Sequence, residues 1–209
     1  KKTAEGMPFT DIKGKDAARK IVILAALAYG KLISPEDIYT EGITEISDVA
    51  TTLATQMGYS IKLIGHTERL DDGRVLAMVS PRLIPPTNPL SHITDVFNGI
   101  LVETDMLGTT MFYGRGAGKL PTASAVAGDL IDIMGHTPAG IHAPVWVDAT
   151  PDEIADPEAY VCRHLVVLDA HESDAGHLKT VFGGLNAVHF TEGRFSFITD
   201  EMSEAEVKA

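Results

Sequence analysis

Three carboxylates and a lysine crowd the entry of an apolar segment. They are Glu5, Asp11, Asp16 and Lys20 in EGMPFTDIKGKDAARK, followed at once by IVILAALAYG. Asp16 and Lys20 are four apart, so on a helix they share one face. The next nine residues, Ile21 to Tyr29, are apolar on every side, the composition of a buried helix. A lysine held at the lip of such a helix beside carboxylates is kept protonated and aimed, which is what a proton donor to a carbonyl oxygen needs. The same spacing is also that of an ordinary surface ion pair, worth about 0.2–0.5 kcal/mol. A loop acid such as Glu5 is equally at home in water.

A second stretch with chemical potential is MFYGRGAGKLPTASAV, residues 111–126. A strand runs into a glycine-rich turn and then a helix. Free N–H groups at such a helix start favour an anion, and Gly114, Gly116 and Gly118 let backbone approach a ligand closely. No Gly-Lys-Ser/Thr follows at Walker A spacing, and the third glycine of the dinucleotide fingerprint is missing. A tight structural turn is the competing reading. The eight histidines form no HExxH or other ligand spacing, so no metal site is expected. Ser124 is not in a nucleophile elbow, and Cys162 falls in a predicted core strand.

These stretches must be held by an α+β fold. A helix is predicted from Asp16, as N-cap, to Tyr29, stopped by Gly30. SPEDI from Ser34 has the signature of another helix start, and EISDVATTLATQMG of a further helix. SIKLIGHTERL and RVLAMVSPRLI form a hairpin around DDG. FNGILVETDMLGTTMFYGRG forms a second around TDMLG, and PTASAVAGDLIDIMG a helix. From His136 the chain carries four prolines and no period, so 138–158 reads as a linker, with Trp146 as a docking anchor. The remainder is a β-α-β-β-α series: a strand at YVCRHLVVLDA, a helix at SDAGHLKTVFGGL, a hairpin at NAVHFTEGRFSFITDE and a last helix at SEAEVKA.

Composition narrows the class. A net charge of −12 opposes nucleic acid as the main partner. One cysteine allows no disulfide within the chain and suits a reducing cytoplasm. The longest apolar run is too short to span a bilayer, so no membrane partner is expected.

Taken together, the two stretches resemble homoserine dehydrogenase. That family's signature runs Glu, Asp, Gly and D-x-x-x-K into an apolar helix, matched here by Glu5, Asp11, Gly14, Asp16 and Lys20. Its later G-x-G-A-G…P-T-A-S-A-V run is matched from Gly114 to Val126, and NPL and FNGILV resemble the family's H-P-L and N-A-V stretches. Met7 stands where the family often has Asp, and Asn88 where it often has His.

The resemblance implies interconversion of aspartate 4-semialdehyde and homoserine with NAD(P). Lys20 would be the catalytic proton donor and acceptor. Glu5, Asp11 and Asp16 would bind substrate, and Gly116, Ala117 and Gly118 would line the cofactor side. It implies a mixed sheet covered by helices over 1–137, the rear of the substrate domain, and a dimer or higher homo-oligomer. The family's nucleotide-binding domain and its cation site are not expected within these residues, so the chain alone should be inactive. Residues 159–209 resemble a shortened ACT domain of ferredoxin-like βαββα order, with Asp174, Gly176 and Leu178 in its turn and threonine as the implied effector. Two other readings stay open: an amino-acid-sensing or oligomerisation module acting through that tail, and a phosphate-ligand protein using the glycine turn.

Overall fold

The computed structural model describes residues 13–136, 145–191 and 193–208. It is α+β, as expected, and divides into two compact units. The first is built from residues up to 83 and from 146 onward; the second is Ile84–Val145. In sequence, the second unit is therefore an insertion into the first.

The first unit opens with α1 (Lys15–Tyr29). This segment has neither glycine nor proline, and Ala18, Ile21, Val22, Ala25 and Ala26 form its buried stripe. Gly30, at φ 70°, ends it by donating its N–H to the Ala26 carbonyl at 2.9 Å. Two expectations change. The N-cap is Gly14, at φ 76°, and Asp16 lies in the first turn. The helix is also one-sided: Ile23 and Leu27 are 50 % and 61 % exposed on the face away from the core. Half or more of each side chain is left uncovered by the described residues.

Two short strands follow, β1 (Lys31–Leu32) and β2 (Tyr39–Thr40). The helix expected from Ser34 is a single turn, closed by Asp37 N–H to the Ser34 carbonyl at 3.0 Å. Both flanks are committed to strand pairing, and 33–38 is too short for a helix between them. The helix expected next forms as α2 (Asp48–Gln56), capped by the Ser47 hydroxyl, which accepts from Ala50 N–H at 3.1 Å.

The first predicted hairpin forms as β3 (Ser60–Arg69) and β4 (Val75–Ile84), its turn closed by Leu70 N–H to the Arg74 carbonyl at 2.9 Å. β4 lies between β3 and β2 and runs parallel to β2, with Thr40 opposite Val79. Val75, Ala77 and Val79 join α1, Ile33 and Ile38 in one core; Leu76 and Met78 join Ala155 in another. The strand is thus buried on both faces, which explains its continuous apolar run.

The second unit holds β5 (Phe97–Thr104), β6 (Gly108–Arg115) and α3 (Lys119–His136). The expected pair of strands forms around TDMLG, in unbroken antiparallel register from Phe97↔Arg115 to Thr104↔Gly108. Beyond Ile84 at its border, none of its described residues is buried. Phe112, Leu120, Leu130, Ile131 and Met134 all face outward.

The described part of the predicted linker, 145–158, is stitched into the first unit. β7 (Val147–Asp148) runs parallel to β1, and Ala155 donates to the Val75 carbonyl at 3.0 Å. Lys31 Nζ meets Glu153 Oε1 at 2.5 Å, and Thr150 N–H donates to Glu153 Oε2 at 3.0 Å. These bonds, that from Lys31 foremost, pull the Glu153 carboxyl down to about 2. Trp146 is 40 % exposed.

The rest of the first unit follows the predicted β-α-β-β-α order. It comprises β8 (Val161–Cys162), β9 (Leu165–Asp169), α4 (Ala175–Phe182), β10 (Asn186–Thr191), β11 (Arg194–Ile198), β12 (Met202–Ser203) and α5 (Glu204–Lys208). The strand expected over Tyr160–Ala170 is interrupted. Leu165 pairs with Ile198 and Cys162 with Met202, so the β11–β12 side carries one extra residue, a bulge. It is closed by His164 N–H to Thr199 Oγ1 at 3.0 Å. The sheet order is β10-β11-β9, with Leu178, Phe195 and Phe197 at its core. Among the described residues no helix is long and apolar enough to cross a membrane.

Candidate active site

In the first unit the candidate residues gather at the start of α1. Gly14 is needed there for two reasons. Its φ of 76° disfavours any L side chain. A Cβ on it would also lie 3.0 Å from Thr40 Cγ2 and 3.1 Å from Val79 Cγ1. The helix therefore starts in contact with β2 and β4, and Ala18 N–H closes the first turn on the Gly14 carbonyl at 2.9 Å.

One turn later Asp16 Oδ2 and Lys20 Nζ meet at 2.6 Å. Their side chains are 43 % and 65 % exposed, so the described residues of this unit do not enclose them. The predicted pairing is present. Asp16, Lys20, Ile23 and Leu27 follow one another at helical spacing, so an apolar strip continues directly from the ion pair. Glu5 and Asp11 lie outside the described residues.

The other candidates, Gly116, Ala117 and Gly118, fall in the second unit, in the turn between β6 and α3. Register puts Asn98 opposite Gly114. Phe97 and Tyr113 stack with ring centroids 4.9 Å apart, and the Arg115 guanidinium lies 5.0 Å over the Phe97 ring. Gly116 N–H donates to the Val96 carbonyl at 3.1 Å. Gly118, at φ 117°, starts α3, and its carbonyl accepts from both Thr122 N–H and the Thr122 hydroxyl, at 3.1 and 2.9 Å. A Cβ built at Gly114 would meet nothing within 4 Å, and one at Gly118 only Pro121. The backbone at 114 and 118 is therefore open to a ligand, whereas that at Gly116 is covered by the Asn98 side chain.

Asn88 accepts from Leu90 N–H at 2.9 Å and so caps the Pro89–His92 turn. Pro89, His92, Ile93, Met111 and Tyr113 line a shallow depression of about 260 Å³ in this unit. Cys162 is half-buried, with its thiol pushed up by burial, a poor state for a nucleophile. Among the described residues no three His, Cys, Asp or Glu side chains are grouped to hold a metal ion.

A sequence model of the homoserine dehydrogenase family matches residues 1–131, which include both signature stretches. The chain belongs to the homoserine dehydrogenase family. The homoserine dehydrogenase of Bacillus subtilis is 40 % identical over 138 residues, covering 66 % of this chain and 32 % of that protein. The enzyme of Lactococcus lactis is 33 % identical over 179 residues, covering 85 % of this chain and 42 % of its own length. Among solved structures, a homoserine dehydrogenase from Thiobacillus denitrificans superposes with a TM-score of 0.82 at 32 % identity, over 99 % of this chain and 50 % of that one. That of Staphylococcus aureus gives 0.75 at 30 % identity, over 98 % and 52 %. The chain thus spans about half or less of the length of these homoserine dehydrogenases.

Asn98 is the residue at the glycine turn that inspection of sequence did not single out. The hairpin register sets Asn98 opposite Gly114, but its seat over Gly116 depends on the path of the turn beyond and has no signal in the sequence.

Proposed function

We propose that this chain is the substrate-side portion of a homoserine dehydrogenase, interconverting aspartate 4-semialdehyde and homoserine, and that its 209 residues alone are inactive. The observation that carries the reading is the Asp16–Lys20 contact at 2.6 Å on the helix that bears the family signature. Lys20 gives a proton to the substrate's 4-oxygen as the aldehyde is reduced and takes it back in the reverse direction. Asp16 orients the lysine ammonium and, with Glu5 and Asp11, receives the amino and hydroxyl groups of homoserine.

The backbone of the 116–118 turn, open at Gly118 apart from Pro121, fits contact with NAD(P). When bound, that cofactor supplies or accepts the hydride at C4. The turn's part is to fix distance and orientation.

The exposed strip of Ile23 and Leu27, and the outward apolar residues of the second unit, support a reading in which further polypeptide covers both faces. That polypeptide is the remaining length typical of the family together with a second copy, giving a homodimer or larger assembly. Functional divisions at 1–137, 138–158 and 159–209 accompany this reading, with the tail as an ACT-like module for threonine in a cytoplasmic enzyme of threonine and methionine synthesis. The β10-β11-β9 order favours that tail reading, because it leaves the outer edge of β9 open where a fourth strand would pair.

NADPH oxidation with aspartate 4-semialdehyde, followed at 340 nm, tests the proposal in the full-length gene product that carries this sequence. Lys20→Ala is expected to lower kcat by about 10²–10⁴-fold, the usual range for a lost general acid. Wild-type kcat in Lys20→Ala refutes the assignment. Turnover by the 209-residue chain refutes its predicted inactivity.

A further inference from the structure

The turn read above as the cofactor side is held by a neighbour. An ideal Cβ built on Gly116 would sit 1.3 Å from Asn98 Nδ2, 2.5 Å from Asn98 Cγ and 3.3 Å from Asn98 Cβ, and these are its three nearest atoms. The Asn98 carboxamide thus occupies the volume that a side chain at 116 would need. Gly116 is also tied to the same segment of chain by its N–H bond to Val96. No left-handed conformation is required at Gly116, unlike Gly118, so the reason for glycine there is space alone.

We propose that Asn98 is a positioning residue: its carboxamide, seated over Gly116, sets the path by which the 114–118 turn leaves β6 and presents its backbone. The geometric claim stands on the contacts alone. Its bearing on catalysis rests on the homoserine dehydrogenase reading.

The contact is between one side chain and one missing Cβ, so it predicts compensation. Asn98→Ala removes the amide and frees the turn. Gly116→Ala forces its methyl into the amide and displaces the turn. In the double variant the methyl introduced at position 116 enters the vacated volume, its nearest contact being the Cβ of residue 98 at 3.3 Å, so each substitution repairs the other. Residues in contact are non-additive in such cycles, whereas independent sites add.

Amide hydrogen exchange of this chain, read by mass spectrometry on peptides spanning 114–118, tests the geometry. Each single variant is expected to speed exchange there about tenfold, equivalent to about 1.4 kcal/mol of lost protection, with the double variant within about threefold of wild type. Peptides covering Leu107–Met111 are unchanged, which separates the turn from general loss of the hairpin. Additive acceleration in the double variant, or no acceleration in Asn98→Ala, overturns the proposal.

The catalytic arm uses the full-length gene product. Asn98→Ala raises the cofactor KM about tenfold and moves the homoserine KM less than twofold, and Gly116→Ala added to it restores the cofactor KM. A change confined to the homoserine KM, or none, overturns the catalytic role. A wild-type protein without dehydrogenase activity removes the functional reading, and the exchange experiment still decides the geometry.

Discussion

Replacing Gly14 and Gly30 by alanine, one at a time, separates two costs that usually come together. Both glycines have nearly the same backbone, φ 76° and 70°, and both flank α1. Their surroundings differ. A Cβ at Gly30 meets nothing within 4 Å, whereas one at Gly14 meets Thr40 Cγ2 at 3.0 Å and Val79 Cγ1 at 3.1 Å. The left-handed conformation costs an L residue about 1–2 kcal/mol at either site. Forcing a methyl into a filled core adds about 1–3 kcal/mol, and this falls on Gly14 alone. Gly30→Ala should therefore lose about 1–2 kcal/mol and Gly14→Ala about 2–5 kcal/mol. Urea unfolding followed by fluorescence reads the first unit selectively, because the single tryptophan, Trp146, belongs to it and is followed directly by β7. Equal losses from the two substitutions would refute the claim that α1 starts in close contact with β2 and β4.

Three other outcomes follow from particular contacts. The Glu153 carboxyl is held down to about 2 by Lys31 and Thr150, from an ordinary value of 4.5. Its stabilising contribution is complete above about pH 4.5 and fades as pH falls towards 2, so wild type and Glu153→Gln should differ most in urea midpoint at pH 7 and converge near pH 2. Phe197 is wholly buried and packs edge-on to Phe182 at 5.2 Å, so Phe197→Ala should lose about 3–5 kcal/mol by calorimetry. The Asp16–Lys20 pair is exposed and four residues apart on a helix, so Lys20→Ala should change stability by no more than about 0.5 kcal/mol, far less than its expected effect on turnover.

Elements with local signals were legible in the sequence. TDMLG marked the β5–β6 hairpin, and Gly30 the end of α1. Ser34-Pro35-Glu36 misled because a cap signal states where a helix can begin and not whether room follows. Pairing of β1 with β7, and of Val75 with Ala155, joins segments far apart in the chain, and no local pattern encodes it. That is why 145–158 reads as unstructured from its prolines. The unbroken apolar run of α1 reads as a helix buried all round, yet one face of it is exposed in this unit. At the site, the Asp16–Lys20 pairing was legible from spacing. The packing of Asn98 on Gly116 was not, since it depends on the path of a turn that glycine leaves open.

The tie between Lys31 and Glu153 spans 122 residues of sequence. During synthesis at 5–20 residues per second, roughly 6–24 s separate the emergence of its two ends. The inserted hairpin and α3, whose contacts are short-range, leave the ribosome within that interval. β1 and the Val75 edge must therefore wait unmatched while the inserted module is already able to form. A translational pause placed far enough past Asp156 for that residue to have left the ribosome would give those distant edges time to meet, whereas an earlier pause would prolong their exposure to other chains.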